Sequence, residues 1–405
     1  MNVIFLSVSS FTDAARPGIY PDLLRAFAKH GHRVVAVQPR DRKYGLPTSL
    51  SEEAGIRVLR VRTLNIERAG LLEKGLGTVL LEWQFTSAIR RRLAGERFDL
   101  ILYATPPVTL PRVIRFLKRR NPGASTYLLL KDIFPQNAVD LGMMSPKGIK
   151  GILYRYFRRK ERSLYALSDH IGCMSPANVA YLLSHNPELR KERVEVCPNS
   201  CDPETPAPAD SVLDVRKRFG ISPEAVVFLY GGNLGKAQGI PFLLQCLQRN
   251  AGRTDCHFVV VGGGQDAWRV QDWVRSCRPS NVTYQEALPT EEYEGLVKSC
   301  DVGLIFLDAR FTIPNYPSRI LSYLKAGKPV ICATDPNTDI GRIAAAQGYG
   351  LSVSSEDTEA FTACVDALAA DRALIRAMGL RGHRYFLENY TVDTTYSTII
   401  RHFEK

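Results

Sequence analysis

Val226-Val-Phe-Leu-Tyr-Gly-Gly-Asn-Leu-Gly-Lys-Ala-Gln-Gly239 runs directly into Ile240–Leu247, where apolar residues recur at helical spacing. A short continuous apolar run, a glycine-rich turn and a helix are successive parts of a βαβ unit. Gly231, Gly232 and Gly235 let the main chain approach a ligand closely and expose its N–H groups. The first turn of the following helix adds partial positive charge, Lys236 adds a full one, and Asn233 sits between them. Such a turn suits a diphosphate. It also suits a tight strand–helix connection whose glycines serve packing alone. Neither Gly-x-Gly-x-x-Gly nor a P-loop lysine motif occurs, so dinucleotide and P-loop readings lose ground.

One strand further on, Val259-Val-Val-Gly-Gly-Gly-Gln265 repeats the logic, with Gly263 at its centre. A third element, Pro314-Asn-Tyr-Pro-Ser-Arg-Ile-Leu-Ser-Tyr-Leu-Lys-Ala-Gly-Lys-Pro-Val-Ile-Cys332, predicts a helix beginning at Tyr316-Pro-Ser-Arg319, with Pro317 in its first turn. Free N–H groups, the Ser318 hydroxyl and the Arg319 guanidinium would there face a phosphate or ribose. The helix is expected to end at Ala326-Gly327, before the next strand.

The same alternation extends through the chain. Val3–Val8, Arg33–Val37, Arg57–Val61, Leu100–Tyr103, Thr126–Leu130 and His170–Met174 read as buried strands separated by helices. A second set follows at Val226–Tyr230, Phe258–Val261, Val282–Gln285, Gly303–Leu307 and Val330–Cys332. Between the sets lies Cys197-Pro-Asn-Ser-Cys-Asp-Pro-Glu-Thr-Pro-Ala-Pro208, whose four prolines exclude regular structure. The expected organisation is an α/β chain of two Rossmann-like, doubly wound domains: 1–197, a linker at 198–208, and 209–385. Residues 386–405 form a terminal helix that ends the second domain or crosses back to brace the first. Two such sheets in tandem imply a ligand crevice at the carboxyl ends of both strand sets.

A length of 405 residues fits two cores, and 45% apolar with 23% charged residues is ordinary globular composition. The nine cysteines contain no Cys-x-x-Cys pair, which points to reduced thiols and a cytoplasmic location. The N-terminus lacks the basic flank and cleavage signal of a secretory peptide, and no run reaches the ~18 apolar residues that cross a bilayer. The net charge of +12 favours anionic partners.

The order of motifs in the second half resembles glycosyltransferase family 4, whose two-domain architecture is termed GT-B. The resemblance rests on the Pro-Asn linker, Gly-Gly-Asn-Leu-Gly, the triple glycine, Asn281-Val-Thr-Tyr-Gln-Glu-Ala-Leu-Pro289, Cys300-Asp-Val-Gly-Leu304, and Pro317-Ser-Arg followed by Ala326-Gly-Lys-Pro-Val-Ile331. In the first half, Ala28-Lys-His-Gly-His-Arg-Val-Val35 resembles the family's first helix–strand turn. The resemblance covers nearly the whole chain. It implies transfer of a sugar from a nucleotide-sugar, by expectation UDP-linked, with retention at the anomeric carbon. Gly231, Gly232, Asn233, Gly235, Lys236, Gly263, Ser318 and Arg319 are then the expected donor-binding residues. The family's Glu-x7-Glu carboxylates would fall at Pro314 and Ser322, and its basic pair near Asn233 and Gln238. Lys236 and Arg319 stand as replacements. This pattern resembles a branch serving bacterial surface-polysaccharide assembly.

In the first half, Leu128-Leu-Leu-Lys-Asp-Ile-Phe-Pro-Gln-Asn-Ala138 places Lys131 and Asp132 at the carboxyl end of a strand. Asp132 there would orient or deprotonate an acceptor hydroxyl, with Lys131 meeting phosphate; a helix-entry carboxylate bonded locally is the other reading. Arg16-Pro-Gly18, after the first strand, occupies the loop expected to admit the acceptor or diphosphate. No Asp-x-Asp and no histidine cluster occurs, so neither a metal nor another cofactor is expected, and fixed cations would stabilise the departing diphosphate.

Basic residues concentrate in the first half. Lys147–Arg162 carries Ile149, Ile152, Leu153, Tyr156 and Phe157 at helical spacing among cations, and Arg90–Arg92 and Lys118–Arg120 add two clusters. A helix of that kind lies on an anionic membrane or packs its apolar stripe on its own core. The expectation is peripheral association at the inner face of the plasma membrane and an acceptor on a lipid diphosphate. Competing readings are a nucleotide-sugar 2-epimerase of the same fold, a non-catalytic sugar-nucleotide binder, and a basic nucleic-acid-binding protein. The last lacks aromatics interleaved with its basic clusters, so nucleic acid is not an expected partner.

Overall fold

The computed structural model describes residues 1–65, 71–148, 150–203 and 215–403, in two units. One comprises Met1–Asp202 with the chain from Val392 onward, the other Pro203–Thr391.

The first unit is built on an eight-stranded sheet of order β3-β4-β2-β1-β5-β6-β7-β8. Its elements are β1 (Asn2–Leu6), α1 (Ile19–Lys29), β2 (Arg33–Asp41), β3 (Ser49–Glu53), β4 (Ile56–Thr63), α2 (Leu71–Arg92), β5 (Leu100–Thr105) and α3 (Pro111–Arg120). There follow β6 (Ser125–Leu130), α4 (Gln136–Asp140), α5 (Lys150–Leu167), β7 (His170–Cys173), α6 (Pro176–His185) and β8 (Val194–Val196). All pairs are parallel except β3–β4. Strand order reverses between β1 and β5, and β1 is flanked by β2 and β5: Ile4 faces Val35 on β2 and Ile101 on β5.

Alternate residues of the central strands feed two cores, as the two-residue period of a strand requires. Ile4, Leu6, Ile101, Tyr103 and Leu128 pack with Phe85, Ile114 and Leu164 of α2, α3 and α5. Val3, Phe5, Leu102 and Leu129 pack on the opposite face with Leu24 and Phe27 of α1. The same face takes Tyr396, Ile399 and Ile400 of the last helix, α15 (Val392–Ile400). Tyr396 meets Phe27 edge-on at 4.9 Å, stacks on His30 at 4.0 Å, and shares a 2.7 Å hydrogen bond with His32 Nε2.

The second unit holds a six-stranded, wholly parallel sheet of order β11-β10-β9-β12-β13-β14. Its chain order is α7 (Val215–Phe219), β9 (Val226–Gly231), α8 (Ile240–Arg249), β10 (Cys256–Val261), α9 (Ala267–Cys277), β11 (Val282–Gln285), α10 (Thr290–Ser299) and β12 (Val302–Phe306). Then come α11 (Ile320–Lys325), β13 (Val330–Thr334), α12 (Ile340–Ala346), β14 (Gly350–Ser354), α13 (Thr358–Ala370) and α14 (Arg372–Asn389). Counted within the unit this is the order 3-2-1-4-5-6 of a Rossmann sheet, with its switch point between β9 and β12. Both units are therefore Rossmann-like, as expected.

Several local expectations are corrected. Polar β3, short β8 and half-exposed β14 carry too little apolar signal to be seen in sequence. The helix expected from Tyr316 starts at Ile320, because Pro317 and Ser318 form a turn whose carbonyls accept from Ile320 and Leu321. A one-turn 3-10 helix at Lys236–Gln238 separates the glycine turn from α8. The terminal stretch is two helices divided at Tyr390-Thr391. Of the expected linker, residues 204–208 lie outside the described residues, as does Ile149 of the basic segment.

Candidate functional site

In the second unit Gly231, Gly232, Gly263 and Arg319, four of the expected residues, lie together at the carboxyl end of β9 and β10. β9 ends in Tyr230 and Gly231, and the Tyr323 hydroxyl of α11 bridges this end, accepting from Gly231 N–H at 3.2 Å and donating to Leu229 O at 3.0 Å. One turn earlier, the Arg319 guanidinium lies over the Tyr230 ring, 4.6 Å from its centroid. Its Nη1 is buried and has no hydrogen-bond partner among the described residues. A buried guanidinium N–H without a partner demands an explanation, since leaving such a donor unmatched is costly. The arrangement leaves a planar cation with an uncommitted donor beside the Gly231-Gly232 turn, which makes Arg319 the candidate anion contact.

Gly232 adopts φ 126°, and a Cβ there would stand 3.3 Å from the Arg319 guanidinium. The two glycine turns interlock: Gly232 N–H donates to Val261 O at 2.9 Å and Leu234 N–H to Gly263 O at 2.8 Å. A Cβ at Gly262 would fall 1.8 Å from Gly232 O, and one at Gly264 would fall 2.6 Å from Leu234 O. Packing thus explains Gly262 and Gly264, and also Gly231, where a Cβ would strike Tyr293. At exposed Gly263 a Cβ would meet nothing within 4 Å. Gly262→Ala should consequently separate the two turns and lower the melting temperature far more than Gly263→Ala; thermal unfolding of the pair measures it.

Lys236 is exposed on the 3-10 turn and makes no ion pair among the described residues. Asn233 is also exposed, its side chain donating to Gln238 Oε1 at 3.1 Å. Gly235 begins the 3-10 turn, and Ser318 sits half-buried in the turn before α11. Pro314 and Ser322 hold no charge, as read from the sequence.

In the first unit, Asp132 follows β6, one strand beyond the reversal between β1 and β5. Oδ2 accepts from Asn137 Nδ2 at 2.7 Å, while Oδ1 is buried without a partner among the described residues. Burial pushes its pKa up to about 6, against the pull of the Ile133 main-chain N–H and the Asn137 amide. A carboxyl shifted upward in this way suits the role of proton acceptor. Lys131 does not point at open space: its ammonium donates to Cys197 O at 2.8 Å, and burial lowers its pKa. The β1–α1 loop is fixed from beneath. Gln38 grips both the N–H and the carbonyl of Phe11, and Arg60 binds Thr12 O and Glu53, whose carboxylate accepts from Ala14 N–H. Arg16 is exposed at the tip, and Gly18 N–H donates to buried Asp22 at 2.9 Å. Sequence reasoning missed Tyr230, Tyr323, Asn137 and the Glu53–Arg60 pair. Tyr230, Tyr323 and Asn137 stand inside the quoted motifs but read locally as core or turn residues, while Glu53 and Arg60 lie outside them.

Among the described residues, no three of His, Cys, Asp and Glu come together as a metal-ligand set. Residues 20–200 match the family description "Glycosyl transferase 4-like domain", and residues 225–371 match "Glycosyl transferases group 1". The chain belongs to glycosyltransferase family 4. Its two Rossmann-like units are the GT-B fold of that family, and it is an enzyme of glycosyl transfer. This glycosyltransferase is 24% identical over 301 residues to "Probable glycosyltransferase WbjE" of Pseudomonas aeruginosa, covering 74% of this chain and 72% of the relative. It is 22% identical over 294 residues to "Putative colanic acid biosynthesis glycosyl transferase WcaI" of Escherichia coli K12, covering 71% and 70%. Among solved structures, Anabaena HepE in complex with UDP superposes with a TM-score of 0.69 at 13% identity, covering 99% of both chains.

Proposed function

We propose that this family 4 glycosyltransferase moves a sugar from a UDP-linked donor to a glycan acceptor carried on a lipid diphosphate, in the assembly of a bacterial surface polysaccharide. One observation carries the donor half: buried Arg319, with Nη1 uncommitted, stands beside the Gly231-Gly232 turn at the switch point of the second sheet. A nucleoside diphosphate offers the paired anionic oxygens that a guanidinium and main-chain N–H groups recognise. The UDP complex of HepE supports uridine, and the colanic-acid description of WcaI supports the polysaccharide.

In this reading the donor's bond from anomeric carbon to phosphate oxygen breaks, and a bond from that carbon to the acceptor oxygen forms, with retention. Arg319, Lys236 and the N–H groups of Asn233, Gly235 and Gly263 hold the departing diphosphate, with Gly231 and Gly232 shaping the turn and Ser318 beside them. Fixed cations of this kind supply the charge stabilisation for which other transferases use a metal ion. Asp132 orients the acceptor hydroxyl and takes its proton. Lys131 steadies the turn that carries Asp132 by holding the carbonyl of Cys197, and Arg16 and Gly18 border the acceptor's entry. The enzyme works from the cytoplasm, peripherally at the inner face of the plasma membrane; no helix among the described residues is long and apolar enough to cross it.

A thermal-shift panel of UDP-, GDP- and dTDP-sugars, with and without EDTA, tests the donor. UDP-sugars should raise the melting temperature by mass action, equally in EDTA. A shift confined to GDP- or dTDP-sugars, or abolished by EDTA, would contradict the reading. Turnover of a UDP-sugar with no acceptor present would mark a 2-epimerase instead.

A further inference from the structure

α2 and α5 pack on the same face of the first sheet, in one core with α3. Each leads into the amino end of a parallel strand, so each begins at the carboxyl edge of the sheet, the edge that carries Asp132. α3 has only 10 residues and starts level with Glu82 of α2, which accepts from Arg112 N–H at 2.6 Å and pairs with Lys160 of α5. The parts of α2 and α5 that precede Glu82 and Lys160 therefore extend past α3 toward that edge.

What these helices show to solvent is unusual. On α2 the exposed described residues are Val79, Leu80, Trp83 and Arg90, Arg91 and Arg92. On α5 they are Ile152, Leu153, Arg155, Arg159, Arg162 and Ala166. Every one is apolar or arginine. The two acids with described side chains on these helices, Glu82 and Glu161, are both buried. Trp83 is 58% exposed, Ile152 62% and Leu153 51%, so these are not the edges of a core. Val79, Leu80, Ile152 and Leu153 lie on the projecting parts with Arg155 and Arg159, Trp83 stands at the base of the α2 projection next to Glu82, and Arg90–Arg92 and Arg162 follow behind. Solvated surface helices carry mixed charge and seldom expose large apolar clusters.

We propose that the projecting ends of α2 and α5 form a docking surface for an anionic lipid bilayer. Val79, Leu80, Trp83, Ile152 and Leu153 enter the headgroup boundary, while Arg155, Arg159 and the arginines behind Trp83 meet lipid phosphates. Charge complementarity selects this occupant: a neutral apolar partner leaves the arginines unmatched, and an acidic polar partner leaves the tryptophan and aliphatics uncovered. The inference rests on the lipid-linked acceptor for its purpose, because it would bring the Asp132 edge to the membrane, but its geometry stands on the two helices alone.

The test is co-sedimentation of the full chain with phosphatidylcholine vesicles, with and without phosphatidylglycerol. Emission of Trp83 is followed in a Trp268→Phe/Trp273→Phe background. Binding only to the anionic vesicles, weakened by salt and accompanied by a blue shift, is expected. Arg155→Gln/Arg159→Gln should weaken binding by about 25-fold, roughly fivefold per cation. Trp83→Ala/Leu153→Ala should lose most of what remains at high salt. The thermal shift with UDP is measured on every variant, so that an unfolded variant is recognised and the donor reading is judged separately. Absence of binding to anionic vesicles, binding unchanged in both double variants, or self-association that Trp83→Ala abolishes would overturn the proposal. Vesicle binding without any UDP shift would leave this surface standing and remove the donor reading.

Discussion

Asp132→Asn should lower the rate of sugar transfer by about 10²–10⁴-fold, the usual contribution of a positioned proton acceptor. The amide keeps the shape of the side chain and can still meet Asn137, so the loss reports the missing base and not a collapsed loop. The wild-type rate should fall as pH drops through about 6, the value to which burial lifts Asp132, and the residual activity of the variant should lack that limb. Stability should move the opposite way. A carboxyl whose folded pKa is raised stabilises the fold while it is protonated, fully so below its unfolded value of about 4, and that contribution is lost as pH rises through about 6. Above that point the wild type buries a charge with one oxygen unmatched. The melting temperature of Asp132→Asn relative to wild type should therefore climb between about pH 4 and pH 6 and level off above. A pH-rate profile and a parallel melting series check both signs.

The second large effect belongs to Arg319. Arg319→Ala removes the planar cation, its stacking on Tyr230 and the uncommitted Nη1 donor together. A lost hydrogen bond to a charged group is worth about 1.5–3 kcal/mol, so UDP should bind roughly 10- to 100-fold more weakly. Transfer should fall further, by about 10²–10³-fold, because charge on the diphosphate grows as the sugar leaves. Arg319→Lys keeps the charge but neither the fork nor the stacked plane, and should recover only part of the loss. Lys236→Ala, at an exposed position, should cost less than Arg319→Ala. Titration calorimetry with UDP and steady-state kinetics separate the two contributions of each residue.

The sheets and their order of use were legible in the sequence because buried parallel strands are continuous apolar runs. Val226–Gly231, Leu100–Thr105 and Ser125–Leu130 are buried almost throughout. Ser49–Glu53 escaped notice because an edge strand need bury little, yet its Glu53 fixes the loop that ends in Arg16. The glycine turns were visible, but the sequence could not separate their purposes. Coordinates assign Gly231, Gly262 and Gly264 to packing and leave Gly263 without a steric reason. Arg319 was visible as a cation but not as a buried one: the partner that holds it, Tyr230, lies 89 residues earlier and reads locally as strand core. Lys131 shows the converse error. Its place after β6 is as expected, but its charge is occupied by a carbonyl 66 residues away, which no local pattern encodes.

The glycosyl-transfer account stands on a diphosphate held by Arg319 and the β9 glycine turn. A crystal structure with UDP tests this most directly. Pyrophosphate oxygens within hydrogen-bonding distance of Arg319 Nη1 and of the N–H groups of Asn233 and Gly235 are the predicted result. UDP bound elsewhere, with Nη1 still unmatched above Tyr230, would contradict it.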